Sequence, residues 1–513
     1  MLLISEIKLL PNENESLLRK LILKKLHIKD SDLLSYSIYK KSTDARKELV
    51  FKYQVLAEVK NENKYLKIKN VSLYKKEDIS VKKVKTDIRP IVVGYGPSGI
   101  FSTYRLVEAG FKPIVLEKGK RIEERAKDVD RFFNEGILNP ESNIQFGEGG
   151  AGTFSDAKLT TRVKSPYNDY CLDILVKFGA KESIKYTPHA HIGTDEVRKV
   201  IQRITDYLIE QGAEFHFEEE MEDLLLNENH EVIGVKTKYR EYMSKYVLFG
   251  VGHSAFNIIK RIYDLGVTMS AKDVAVGFRV EHPQSLIDEN QISGGKLNEA
   301  SEYFLRYKDE KGVYSFCMCP GGIVVPAASD LGRTLTNGMS YAARDSGTAN
   351  SAILIQVNKE EYGTGVLDGF EYLKNLEEKA YQVSNSYKAL SCNIKDFVYG
   401  TDNDFVYQTT YPLGTVKYDF NKFFNQKDTE ILKKALLFFD TKIKGFVDKG
   451  IMVGPETRSS CPVRIDRNPE TLESINTKGL YPMGEGAGYG GGITSCAIDG
   501  ARIADKIITL FSV

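Results

Sequence analysis

The sequence predicts an α/β protein: a three-layer domain on a mainly parallel sheet, joined to an α+β second domain and preceded by a small α/β unit. Three observations predict it. An apolar strand runs into a glycine turn at residues 89–100, Arg-Pro-Ile-Val-Val-Gly-Tyr-Gly-Pro-Ser-Gly-Ile, and the next apolar run, Pro-Ile-Val-Leu, ends in Glu117. Glycine clusters recur far along the chain, at 145–156 and 479–494. Near Ser270 the texture changes to aromatic-rich strands that continue to about Phe420.

Residues 1–86 read as a basic unit of their own, with a strand at 2–9, a helix at 15–26 and strands at 34–40 and 48–59. In the last strand Leu49, Phe51, Tyr53 and Val55 alternate with Val50, Lys52 and Gln54, the period of a half-buried strand. A lysine-rich stretch at 75–85 links this unit to the turn. Residues 87–268 form the first part of a nucleotide-binding domain. Gly94 permits the tight turn, Gly96 lets the backbone approach a pyrophosphate, and Gly99 lets the helix at 101–109 pack on the strand. Pro97 and Ser98 open that helix, whose N-terminus faces the phosphates. Glu117, followed by Lys118, sits where a carboxylate accepts hydrogen bonds from a ribose. A helix at 194–211, a strand at 213–217 and a hairpin at 231–246 continue the domain to the apolar run before Gly250. Residues 269–440 are expected to be a substrate or cap domain, opened by a strand at 274–281. Residues 441–513 return to the nucleotide-binding domain and end in a helix from about Ile493.

The chain has 513 residues, enough for two or three domains. Its formal net charge of +1 argues for neither nucleic acid nor a membrane surface. The balance is uneven, because residues 1–90 carry 21 Lys/Arg against 12 Asp/Glu. No apolar run approaches a bilayer-spanning length, and the start lacks the pattern of a secretory leader. Six cysteines without repeated spacing suggest neither a disulfide framework nor a zinc set. The expected location is a reducing cytoplasm.

A nicotinamide dehydrogenase needs one glycine turn, whereas three dispersed clusters suit a larger cofactor wrapped by both ends of the chain. FAD is such a cofactor. The segment with Gly149, Gly150, Gly152 and Thr153 would cover it, as would Gly252 and His253 after the return strand. The helix beginning at Gly492, Ile493 and Thr494 would present its N-terminus to the flavin, where negative charge develops on reduction. The turn with Glu117 and the C-terminal Gly-Leu-Tyr-Pro-Met-Gly-Glu-Gly-Ala-Gly-Tyr-Gly-Gly-Gly-Ile resemble the glutathione-reductase-type FAD fold, a Rossmann-like FAD-binding domain. Over nearly its whole length the chain is similar to the uncharacterised bacterial FAD-dependent dehydrogenases. The likeness lies in Phe-Gly-Glu-Gly-Gly-Ala-Gly-Thr-Phe-Ser-Asp (146–156), His-Ile-Gly-Thr-Asp (191–195), Gly-Phe-Arg-Val-Glu-His-Pro (277–283), Phe-Cys-Met-Cys-Pro-Gly-Gly (316–322) and Glu-Thr-Arg-Ser-Ser-Cys-Pro-Val-Arg (456–464). It implies FAD and leaves the substrate open. In related flavoproteins a Gly-Asp pair contacts the ribityl chain, and here Gly484 and Glu485 stand in that place.

Arg279 and Glu281 share one face of a strand whose other face is Val274, Val276, Phe278 and Val280, and His282 follows. That face could offer a cation for an anionic substrate and a proton donor near the flavin; an ion pair at a domain seam is the structural alternative. Arg458, with Glu456 and Arg464, precedes the C-terminal motif and is the other candidate for a carboxylate or phosphate. Cys317 and Cys319, one residue apart on a strand, are poorly placed to close a ring, so the expected role is a wall of the active site. His189, His191 and His253 match no metal-ligand spacing, and no metal is expected. A second nucleotide turn at Gly250-Val-Gly-His-Ser-Ala255 lacks the third glycine and an acid, so a return strand is the preferred reading. NAD(P)H stays open as electron partner.

The leading function is hydride transfer between a small organic substrate and flavin N5. The alternative, an FAD enzyme modifying RNA, would use Lys24, Lys25, Lys40, Lys41, Arg46 and Lys47 to neutralise phosphates. No aromatic RNA-binding signature accompanies them.

Overall fold

The computed structural model describes residues 1–44, 49–75, 77–291 and 300–512. Around the first glycine turn, five short strands form a parallel sheet in the order Leu480–Pro482, Val247–Phe249, Ile91–Val93, Ile114–Leu116 and Glu214–His216. The first four are buried along their whole length, as strands covered on both faces must be. Helices Pro97–Ala109, Thr194–Glu210 and Ile493–Phe511 pack together over one face. Helix Thr194–Glu210 does so through Val197, Val200, Ile201, Ile204 and Leu208, an apolar stripe at helical spacing. The other face is covered by helix Phe256–Asp264 and the antiparallel strands Met221–Leu226, Val232–Thr237 and Glu241–Met243. The result is the expected three layers.

The second domain is built on a seven-stranded mixed sheet ordered Arg306–Lys308, Gly312–Cys319, Thr348–Val357, Val274–Pro283, Ile451–Glu456, Ala389–Asn393 and Thr415–Lys417. Strand Ile451–Glu456 pairs with Val274–Pro283 on one side and Ala389–Asn393 on the other. The expected boundary at residue 440 is therefore corrected. The chain stays in this sheet through Glu456, then returns as Val463–Ile465, which pairs antiparallel with Met269–Ala271. Helix Gln426–Asp440 covers the Val274, Val276, Phe278 and Val280 side, where the main apolar core of this domain lies.

The N-terminal unit is a four-stranded sheet, ordered Leu33–Asp44, Val50–Val59, Leu2–Leu9 and Val71–Leu73, with helix Leu17–Leu26. Leu2, Ile4, Leu18, Ile22, Tyr53 and Val55 form its own core. It docks through Lys41 N–H to the Tyr186 carbonyl at 2.8 Å and the Tyr186 hydroxyl to Glu15. Two of the lysines expected to meet phosphates are engaged internally: Lys25 donates to the Ser5 carbonyl and Lys41 pairs with Glu15. Arg46 and Lys47 lie outside the described residues. Among the described residues no helix is long and apolar enough to cross a membrane.

Candidate functional site

The first glycine turn, the second glycine cluster and the C-terminal glycines converge on one cleft of about 360 Å³ between the parallel sheet and the second domain. Each glycine of the turn does a different job. Gly94 has φ +87°, a left-handed conformation, and a Cβ there would lie 2.4 Å from the Gly250 carbonyl oxygen. At Gly99 a Cβ would lie 2.1 Å from the Gly94 oxygen, so this residue sets how closely helix and strand approach. Gly96 differs, since its Cβ would meet only the Gly150 Cα at 3.7 Å, facing the cleft. Helices Pro97–Ala109 and Ile493–Phe511 both begin on the cleft, with Gly96, Pro97 and Ser98 from one and Gly492 and Ile493 from the other in its wall.

Glu117 is buried on the cleft and does more than face a ribose. Its Oε2 accepts from Tyr95 N–H at 2.8 Å, and its Oε1 accepts from Gly119 and Gly147 N–H, both at 2.9 Å. Three of the carboxylate's roughly four acceptor positions are thus filled by backbone, which ties the two glycine loops together; one position on Oε2 remains for a ligand hydroxyl. Lys118 lines the cleft and pairs with Glu220 at 3.1 Å.

The second loop is organised by a residue the sequence reading missed. Arg125 is fully buried and donates to the carbonyls of Asn143, Ile144, Gly147, Glu148 and Gly150. Burial without a paired carboxylate lowers its pKa to about 9. A signal existed: on helix Ile122–Glu135 it shares the buried stripe of Ile122, Val129 and Phe132, where an arginine needs many acceptors.

Gly150, Gly152, Gly252, His253 and Glu485 also line the cleft. Gly99, Gly149, Thr153, Gly484 and Thr494 stand behind its wall. A Cβ at Gly149 would lie 2.2 Å from the Thr153 hydroxyl oxygen, Gly484 N–H donates to Asp499 at 2.9 Å, and the Thr494 hydroxyl donates to the Leu159 carbonyl at 2.7 Å. Burial, reinforced by the Arg458 cation, lowers the His253 pKa to about 3 and keeps the ring neutral. Burial raises Glu485 to about 7 against the pull of Lys272. The Nε2 of His253 and the hydroxyl of Ser254, both on the cleft, are buried with no hydrogen-bond partner among the described residues. Two orphaned polar groups beside two helix N-termini fit a polar, anionic cofactor.

The three candidate catalytic residues separate. All five N–H groups of Arg279 are engaged: Nε and one terminal nitrogen on Glu456 at 2.6 and 2.9 Å, the rest on the Cys317 carbonyl, Asn350 and Asn337, each at 2.9 Å. It supports the wall from behind and has no donor left for a substrate, which corrects the anion-binding expectation. His282 is corrected too. It lies in the second domain's core, its Nε2 2.8 Å from the Phe446 carbonyl and its ring against Phe446, and burial lowers its pKa to about 4. Arg458 does line the cleft, yet it is held by Glu377, Asp330 and Ser329. The Gly250–Ala255 turn follows strand Val247–Phe249 and opens onto the same cleft, as a return strand of the first domain. Among the described residues no group of three or more His, Cys, Asp or Glu is arranged to hold a metal.

A parallel sheet with two helix N-termini and three glycine loops around one cleft defines a mixed α/β fold whose cleft lies where such sheets take their ligands. Residues 273–459 match the family described as FAD-dependent protein, C-terminal domain-like, and residues 1–59 match a domain of unknown function, DUF8436. An uncharacterized protein of Clostridium beijerinckii is 40% identical over 529 positions, covering 99% of this chain and 98% of that protein. The chain belongs to the same family as that protein. Among solved structures, L-proline dehydrogenase from P. horikoshii is 12% identical over 84% of this chain and 95% of its own (TM-score 0.35). Tetracycline destructase Tet(51) is 11% identical over 82% of each chain (TM-score 0.34). Both scores fall below the level at which two chains share a fold throughout.

Proposed function

We propose that this protein is an FAD-dependent oxidoreductase acting on a small organic molecule. The observation that carries the reading is the cleft itself, where Gly96 leaves room for a pyrophosphate directly in front of the helix Pro97–Ala109 N-terminus. The match of residues 273–459 to an FAD-dependent family supports it. Ser98 and the N–H groups of the first helix turn would hold the diphosphate, and Glu117 Oε2 would accept from a ribose hydroxyl. Gly150–Gly152 would cover the chain between the two ends. The N–H groups after Gly492 would face the ring system, with His253 Nε2 as a further hydrogen-bonding group. Bound FAD supplies a two-electron acceptor and donor at N5. Phe316, Cys317, Asn337 and Arg458 bound the remaining space, and the second domain would shield a substrate there from water.

The test is the flavin content of the purified protein. A yellow protein whose released cofactor is FAD is expected. A folded protein that stays colourless after incubation with FAD would refute the assignment.

A further inference from the structure

The pair Cys317 and Cys319 does not lie on a regular strand. In strand Gly312–Cys319, simple alternation would put both cysteines on the side of Val313, inside the second domain's core. Instead the register against Thr348–Val357 slips: Phe316 stands opposite Ala352 and Cys319 opposite Asn350, so Cys317 and Met318 together face one residue. Cys317 takes φ +42°, a left-handed conformation costly for a residue with a Cβ. It is fixed there by the Arg279 guanidinium, which donates to its carbonyl.

The bulge resets the pattern. Met318 fills the core position, and Cys319 faces the same side as Arg279, which stands opposite Ala352. The Cys319 thiol turns toward Cys317 and donates to its carbonyl oxygen at 3.3 Å. Cys317 lines the cleft, whereas Cys319 is fully buried behind it. The neighbouring Cys319 thiol, with Arg279 and Lys158 nearby, lowers the Cys317 pKa, and Cys319 is raised well above the ordinary thiol range by the same contact and by burial. The sulfur on the cleft is thus the one that ionises first, and the buried one keeps its proton, the division of roles seen in reactive dithiols.

We propose that Cys317 and Cys319 form a redox pair that exchanges two electrons with the bound flavin, a second electron store beside it; this rests on the flavin assignment above. In the oxidising direction the Cys317 thiolate, its proton already lost to solvent, and the Cys319 thiol form one S–S bond as the Cys319 S–H bond breaks. Oxidised flavin takes the two electrons and that proton. The reverse step returns the thiolate and the thiol.

The experiment is an anaerobic titration of the full-length purified protein with dithionite, followed by alkylation with iodoacetamide and peptide mass analysis. Wild type is expected to take up two electrons beyond those needed by its flavin, doubling the uptake. Cys317→Ser and Cys319→Ser should each take up only the flavin's share. The peptide carrying both cysteines should be alkylated after reduction and protected before it. A yellow protein with uptake equal to its flavin, or with both cysteines alkylated before reduction, would overturn the pair while leaving the flavin assignment standing. A colourless protein would overturn that assignment, and this exchange with it.

Discussion

Gly96→Ala and Gly99→Ala add the same methyl group three residues apart and are expected to fail in opposite ways. At Gly99 the new Cβ would lie 2.1 Å from the Gly94 carbonyl oxygen, a backbone atom that cannot rotate aside. The helix must shift off the strand, an overpacking cost of about 3 kcal/mol. Better helix propensity returns about 1 kcal/mol, leaving a net loss of about 2 kcal/mol. For a domain of this size that is a fall of roughly 4–8 °C in Tm. At Gly96 the backbone is extended and the Cβ meets nothing closer than 3.7 Å, so the apoprotein should melt within about 1 °C of wild type. The methyl would instead occupy the approach to the pyrophosphate and weaken FAD binding at least about tenfold, ~1.4 kcal/mol. Differential scanning calorimetry of the apoproteins and flavin fluorescence titration separate the two effects. Equal melting of both variants, or unchanged FAD affinity in Gly96→Ala, would refute the division of labour.

Arg125→Met removes the donor shared by five buried carbonyls and should cost about 4 kcal/mol, read as a lowered Tm and faster proteolysis around residues 143–150. Glu281 is buried against Thr410, and burial raises its pKa from 4.5 to about 7. Between those values the unfolded chain has released this proton and the folded one has not. Stability should therefore fall as pH rises from about 4.5 to 7, by up to about 3 kcal/mol, and Glu281→Gln should flatten that slope in urea melts. His282→Gln should lower stability by about 1–2 kcal/mol through the lost bond to Phe446 while leaving the visible flavin spectrum unchanged. A changed spectrum would put the histidine back at the cofactor.

The turn at 91–100 and its acid were legible because their geometry is local. Strand, left-handed glycine, helix and carboxylate lie within thirty residues, each constrained by its neighbours. The alternation of Val274–Pro283 also declared its two faces, and the same parity places His282 with Val280 and Phe278, with which it is buried. What could not be read was the consequence of non-local pairing. Nothing in residues 441–456 says that Ile451–Glu456 will slot between strands begun at Val274 and Ala389. Nor does Arg279 disclose that Glu456, Asn337 and Asn350, distant in sequence, will take its donors. The bulge at Cys317 is invisible for a related reason: it exists only as a register shift against another strand.

These pairings bear on what the cleft can attract. Lys118 is matched by Glu220, Lys158 by Asp156 and Glu302, and Arg458 by Glu377 and Asp330. Burial disfavours the charged forms of both His253 and Glu485. Every cation of the lining is therefore matched, and the carboxylates of Glu117 and Glu219 face the cleft as well, so the side chains supply no net positive charge. The positive potential that remains comes from backbone, at the N-termini of Pro97–Ala109 and Ile493–Phe511, each equivalent to about half an elementary charge and effective only within a turn of the helix end. A ligand drawn by free lysines would be held by charge anywhere along the wall. Under the proposed FAD assignment the diphosphate would lie at the Pro97–Ala109 end and the ring system, which gains negative charge on reduction, at the Ile493–Phe511 end, so a free phosphate could engage only one of the two.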